Sequence, residues 1–254
     1  MFRHQGKRRT LTHNIRIAMV LSFVAGIVNV AGFLSIKHLT TNVTGHFALF
    51  INDVANLEFW KGTIYFIYIL SFLVGSFLSG FLIEIFRDKG KLNIFAIPII
   101  IESLILIFVA IMSTIMGIQH PDLIACLLLL AMGMQNSYVT KISNAVVRTT
   151  HLTGLFTDLG IELSHLLFPK LYPDRVKLTA TMKLRSYIIL FFFFGGIVGG
   201  FLYSKLDLKL NTLIFGAVVL LVSLFYDDVR YRFIKAKRKY NTKSRITART
   251  NLNK

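Results

Sequence analysis

The chain has 254 residues, 54% of them hydrophobic, a mean hydropathy of +0.63 and a net charge of +17 from 29 Lys and Arg against 12 Asp and Glu. Apolar runs of about 20 residues, the length that crosses roughly 30 Å of hydrocarbon as a helix, exclude a soluble or secreted globular domain. The single cysteine, Cys126, excludes an internal disulfide and any multi-cysteine metal site.

The chain opens on a basic tail, residues 1–16, with Arg3, Lys7, Arg8, Arg9 and Arg16 and no acid. The first apolar run, about 17–36, is too long for a signal h-region and is followed by no small-residue cleavage site, so it reads as a retained span. Five more runs read as spanning helices by length and near absence of charge: about 62–86, 92–116, 123–140, 186–203 and 210–226. A second basic tail, 227–254, closes the chain. The membrane domain is 17–226, all-α, a polytopic transmembrane helix bundle of six spans.

The charges follow this division. The two acid-free tails hold 15 of the net +17, and residues 17–228 carry 14 basic against 12 acidic groups. With six spans and a cytoplasmic N-terminus, 25 Lys and Arg fall inside and 4 outside, the bias expected of positive-inside anchoring. The reading is therefore a multi-pass protein of the plasma or inner membrane with both termini cytoplasmic. The lipid bilayer is its partner. A nucleic-acid or anionic-lipid role for the tail KAKRKYNTKSR is the alternative that anchoring makes unnecessary.

The polar segments between spans repeat. Thr40-Thr41-Asn42-Val43-Thr44-Gly45-His46-Phe47 returns as Thr149-Thr150-His151-Leu152-Thr153-Gly154-Leu155-Phe156. Upstream, Gly26-Ile27-Val28-Asn29 answers Gly133-Met134-Gln135-Asn136, and downstream the glycine blocks around Gly75 and Gly195 answer each other. The second half carries about 11 extra residues, with the polar stretch 169–183 as their natural place. Halves of three spans each, about 17–116 and 123–226, enter the membrane from opposite sides. This is the 3+3 inverted repeat of several secondary transporters, whose sites lie near the midplane and are built from interrupted helices. The TT-x-x-TG segments are the expected interruptions; were 40–56 and 149–167 full spans, the charge division would fall to 21 inside and 8 outside.

The stretches AGIVNVAGFL, AMGMQNSYV and VVRTTHLTGLFTDLG resemble the YoaK-like family of uncharacterised bacterial multi-pass membrane proteins, a domain of unknown function, over about residues 16–226. The resemblance implies a polytopic membrane protein and names no substrate. In that family's pattern an aspartate stands at the place of Asn29, and the first motif ends in TGN where this chain reads Thr44-Gly45-His46. His46 is then the group able to replace a titrating carboxylate.

The candidate solute-contacting residues are Asn29, Thr44, Gly45, Gln135, Asn136, Thr153 and Gly154. Amides in hydrocarbon must be bonded, so Asn29 and Asn136 face the bundle, as helix glue or as a lining. The Thr-Gly pairs offer hydroxyls and free backbone where a helix is interrupted, or serve as caps. Glu102, near the centre of the third span, has no acidic repeat equivalent near 222 or 223 and is a coupling candidate with His46, Asp158 and Glu162. Glu84 beside Arg87 reads as an interfacial ion pair.

Glu162-Leu-Ser-His165 has the spacing of a di-iron ligand pair, but no second Glu-x-x-His accompanies it. Neither Gly-x-Ser-Gly nor a histidine in the last two spans supports an intramembrane protease. The reading calls for no enzyme activity, cofactor, metal or nucleic acid. Two functions remain: a small secondary transporter or facilitator for a small polar solute or ion, and a non-transporting scaffold or lipid-interacting protein in which the same motifs only cap and glue helices. A homodimer suits a bundle of this size but no residue pattern marks one. Reporter fusions at Lys89 and His120 should land on opposite membrane faces, Lys89 in the cytoplasm; a cytoplasmic His120 overturns the charge division and the repeat orientation together.

Overall fold

Long apolar stretches punctuated by short polar turns leave little choice but helix, since a backbone in lipid must satisfy its own hydrogen bonds. The computed structural model describes residues 10–87, 93–226 and 229. The helices are α1 (Leu11–Ile36), α2 (Thr44–Ala55), α3 (Phe59–Ile85), α4 (Ala96–Met116), α5 (Pro121–Ser143), α6 (Leu152–Leu167), α7 (Arg175–Ser204) and α8 (Lys209–Tyr226), whose first turn, Lys209–Asn211, is a 3-10 helix. No strand occurs among the described residues. All but α2 and α6 are long and apolar enough to cross a membrane, which makes six. With 12 and 16 residues, α2 and α6 reach only about 18 and 24 Å. Most of the two basic tails, residues 1–9, 227–228 and 230–254, lies outside the described residues.

Several boundaries differ from those expected of the apolar runs, because helices recruit polar residues at their ends. α1 starts at Leu11 rather than 17, where Thr10 and His13 form a reciprocal cap, Thr10 Oγ1 and His13 Nδ1 lying 2.8 Å apart. α3 starts at Phe59, with Lys61 bonded to Glu58 at 2.8 Å. α4 starts at Ala96, after a turn in which Phe95 N donates to Asn93 Oδ1. α5 takes Pro121 into its first turn and runs to Ser143. α7 begins at Arg175, eleven residues before 186, because Asp174 accepts from Lys177 N at 3.0 Å and caps it.

The stretch 169–183 is therefore an irregular loop only as far as Asp174. Its remainder is helix. The extra length of the second half is shared out: α6 is four residues longer than α2, the connection 168–174 four longer than 56–58, and α7 three longer than α3.

α1 and α5 form the centre. In each, 61% of the apolar window is buried, against 22% in α3 and 17% in α7, so the latter two present most of their side chains outward. Each central helix is joined to an outer one by direct backbone contact. A Cβ added to Gly26 of α1 would stand 2.1 Å from Phe192 O of α7, and one on Gly195 of α7 would stand 2.0 Å from Phe23 O. In α3 and α5, Gly75 is as close to Leu130 O and Gly133 to Phe72 O, at 2.0 and 2.1 Å.

Only glycine permits this approach. Contacts rise in step along both pairs, from Phe23–Gly195 to Ser35–Tyr203 and from Tyr68–Asp122 to Glu84–Lys141, so each pair is parallel. Ser76 adds a hydrogen bond to Gly133 O at 2.9 Å. The small residues Gly75 and Ser79 of α3, and Gly195 and Gly199 of α7, are buried. α8 packs on α1, with Phe23 and Phe215 rings 6.4 Å apart, and meets α4 through Thr114 and Asn211 at 2.9 Å.

Gly75→Ala and Gly195→Ala should each lower stability by at least about 1–3 kcal/mol, the usual cost of overpacking, because the opposing atom is a backbone oxygen that cannot step aside. Gly160→Ala, with open space where the new methyl would go, should be neutral or slightly stabilising. Thermal unfolding in detergent compares the three.

Candidate functional site

The local structure after α1 and after α5 follows one plan. α1 stops at Lys37 (φ 59) and α5 at Asn144 (φ 52), both in the left-handed conformation, and the chain then folds back along the helix it has just left. Threonines hold the return. Thr40 Oγ1 donates to Val28 O at 3.1 Å and Thr41 Oγ1 to Asn29 Oδ1 at 2.9 Å. After α5, Thr150 Oγ1 donates to Asn136 Oδ1 at 2.9 Å, and Gln135 Nε2 donates to Thr149 Oγ1 at 3.2 Å. The fold-back places the starts of α2 and α6 at the level of the two asparagines, about seven-tenths of the way along α1 and α5, with Thr44 and Thr153 exposed.

There the two starts share a cavity of about 600 Å³, within the range of small-molecule sites. Asn29 and residues 41–44 line one side, residues 150–154 the other, and Phe72 and Phe192 complete it. Neither α2 nor α6 has a side-chain cap. The N–H groups of a helix's first turn lack helical acceptors, so both starts offer donors there.

Of the residues expected to contact solute, Asn29, Thr44, Thr153 and Gly154 line the cavity together. Gly45 stands beside it, and a Cβ there would meet Leu39 Cδ1 at 3.0 Å. Gln135 and Asn136 do not line it. Gln135 is fully buried and also donates to Leu21 O at 3.0 Å, tying α5 to α1, and Asn136 Nδ2 returns to Met132 O on its own helix at 2.8 Å.

The coupling candidates are dispersed. Glu102 is the seventh residue of α4, about a third of the way along rather than central, because α4 starts at Ala96. It is wholly buried, its Oε2 accepts from Tyr138 at 2.6 Å, and its Oε1 has no partner. Asp158 and Glu162 hold one guanidinium: Arg185 of α7 donates to Asp158 at 3.1 Å and to Glu162, which also accepts from Thr181. His165 stacks on Tyr172 with ring centres 3.7 Å apart. Glu84 pairs with Arg87 at 3.1 Å and, beyond what its spacing announced, with Lys141 at 2.6 Å.

His46 sits one turn behind the cavity. Its Nε2 lies 2.7 Å from Leu39 O, its Nδ1 is buried without a partner, and its ring lies 5.0 Å from that of Tyr68 and 6.3 Å from that of Tyr65. Burial pushes the imidazole below its ordinary pKa, and the Leu39 carbonyl offsets part of this.

Sequence reasoning missed Phe72, Phe192 and Arg185. The signal was present: both phenylalanines stand three residues before the glycine of their repeat, Gly75 or Gly195. Arg185 stands just before the apolar run 186–203 and so reads as a loop charge, whereas it lies inside α7.

Six helices long and apolar enough to cross a bilayer define an integral, multi-pass α-helical membrane protein. The chain belongs to the family described as "Protein of unknown function (DUF1275)", which matches residues 17–226. No curated protein and no solved structure is similar to it at a significant level.

Thr41→Val and Thr150→Val each leave an asparagine oxygen without its donor and loosen one fold-back. Each should cost about 1–3 kcal/mol in detergent unfolding, and the double variant should lose roughly the sum; a loss below a few tenths would mean that the fold-backs are held by something else.

Proposed function

We propose that the protein is a small secondary transporter or facilitator in which two halves of three spans, inverted relative to each other, carry a small polar solute through the cavity between α2 and α6. The shared cavity at two uncapped helix starts is the observation that carries this reading. Short helices beginning partway along a span, joined to spans by irregular backbone around a polar space, are the parts from which such sites are made.

The repeat is supported by what corresponds. Asn29–Thr41 and Asn136–Thr150 are the same bond in the two halves, Lys37 and Asn144 the same cap, and Phe72 and Phe192 the same cavity wall. Each half also lends its partner a helix: α1 packs on α7 and α5 on α3. Rocking of one half on the other around the cavity is the motion this arrangement favours. The solute is small and bears acceptor atoms to meet the N–H groups and the Thr44 and Thr153 hydroxyls.

The scaffold reading has its own support, because Gln135 and Asn136 spend their amides on helix contacts. One experiment separates the two. A panel of labelled anionic, neutral and cationic solutes is tested for exchange in proteoliposomes, and Thr44→Val with Thr153→Val should abolish exchange of the accepted solute while changing the unfolding temperature little. No exchange of any solute, with a collapse of stability in the double variant, favours the scaffold.

A further inference from the structure

The two short helices are held down by different chemistry. In register with Thr44 and Thr153, His46 of α2 corresponds to Leu155 of α6; in register with Gly75 and Gly195, Tyr65 of α3 corresponds to Arg185 of α7. α6 is tied to α7 by the Arg185 ion pairs, with Leu155 buried as plain hydrocarbon. α2 is tied to α3 by an imidazole wedged against two tyrosine rings. We propose that His46 is a proton-operated latch: protonation at Nδ1 releases α2 from α3 and so opens the α2 side of the cavity.

The tautomer follows from the partner. Leu39 O can only accept, so the Nε2 at 2.7 Å carries the hydrogen and Nδ1 is the bare nitrogen. Nδ1 is buried and has no partner, so an added proton would place both a charge and an unmet donor in a closed space.

The groups that face His46 do not rescue that charge. From the fold-back comes His38, whose ring is 5.4 Å from Tyr68 and whose own charge would repel. From α3 come Tyr65 and Tyr68, the latter donating at 2.5 Å to Asp122 of α5, so this carboxylate is already engaged. On α2 itself the carboxylate is Asp53, two turns on, bonded to Asn52, with Lys61 and Glu58 paired to each other at the adjoining turn. An imidazole freed from the site takes up a proton at its ordinary value near 6.5, while the docked ring resists it. Docking is therefore complete above that pH and is lost as pH falls through and below it.

The latch deepens the transport reading, on which its consequence for solute rests; release of α2 is measured without any solute. In a Cys126→Ser background, Phe50→Cys reports docking, since Phe50 packs on Phe66 of α3 with ring centres 5.7 Å apart, and the exposed Leu57→Cys calibrates reagent chemistry. The labelling ratio of Cys at 50 to Cys at 57 by a maleimide should rise severalfold from pH 7.5 to 5.0, by no more than about tenfold per pH unit for one proton. His46→Gln, which can keep the bond to Leu39 O but cannot titrate, should hold the ratio low at every pH, whereas His38→Gln should leave the rise in place. Amide hydrogen exchange across residues 44–55 in the unsubstituted chain, corrected for intrinsic rates, should accelerate over the same interval. A pH-independent ratio and exchange, a rise that survives His46→Gln, or one that His38→Gln removes overturns the latch. Solute exchange that persists beside a flat ratio overturns the latch alone, and an intact pH response without exchange of any solute overturns the transport reading alone.

Discussion

Everything in this bundle depends on two places where helix backbones touch. At Gly26 with Gly195, and at Gly75 with Gly133, the opposing carbonyl lies where any other residue's Cβ would be. Inside a bilayer no hydrophobic gain pulls one apolar helix onto another, so association relies on close dispersion contact and the polar groups it brings together. These contacts put α7 against α1 and α3 against α5. Had the outer helices stood farther away, Phe72 and Phe192 would not reach the cavity, and the α2 and α6 hairpins that lead into α3 and α7 would have no fixed anchor.

The fold-backs turn that frame into a site. A hydroxyl on a returning chain bonds an amide on the helix it has left, which settles two polar groups that lipid would otherwise penalise and sets the depth at which the next helix begins. The same bonds explain why the asparagines divide their work. Asn29 both holds Thr41 and lines the cavity; Asn136 holds Thr150, which lines it, without lining it itself. The halves correspond in backbone but not in every side chain, and His46 opposite Leu155, or Tyr65 opposite Arg185, is where one half acquires a property the other lacks.

The spans were legible because hydrocarbon thickness imposes a length, and the interruptions because TT-x-x-TG occurs twice. What the sequence concealed was depth and partnership. The apolar run that contains Glu102 carries one boundary signal, Pro98, which a helix tolerates only in its first turn; the Asn93 side-chain bond that closes the turn before Ala96 leaves no mark in the hydropathy. Gln135 and Asn136 are neighbours, so periodicity alone could not say that one would cross to α1 and the other bend back to Met132. Arg185 looked like loop charge because helix α7 extends through a polar stretch on the strength of one aspartate cap. Each miss concerns a hydrogen bond between positions that a hydropathy pattern treats alike.

The pairing of α1 with α7 also governs how the protein can be made. Among the described helices α1 is made first, yet the helix that fills its glycine groove is among the last of them to be synthesised, whereas α3 waits only for α5. During that interval a span with Asn29 and a bare backbone groove must be sheltered by lipid, by α5 or by an insertion factor. The α3–α5 unit should therefore assemble first and α1 be captured late, so that defects in α7 leave a half-built bundle with one of its two central helices unclaimed, a natural mark for membrane quality control.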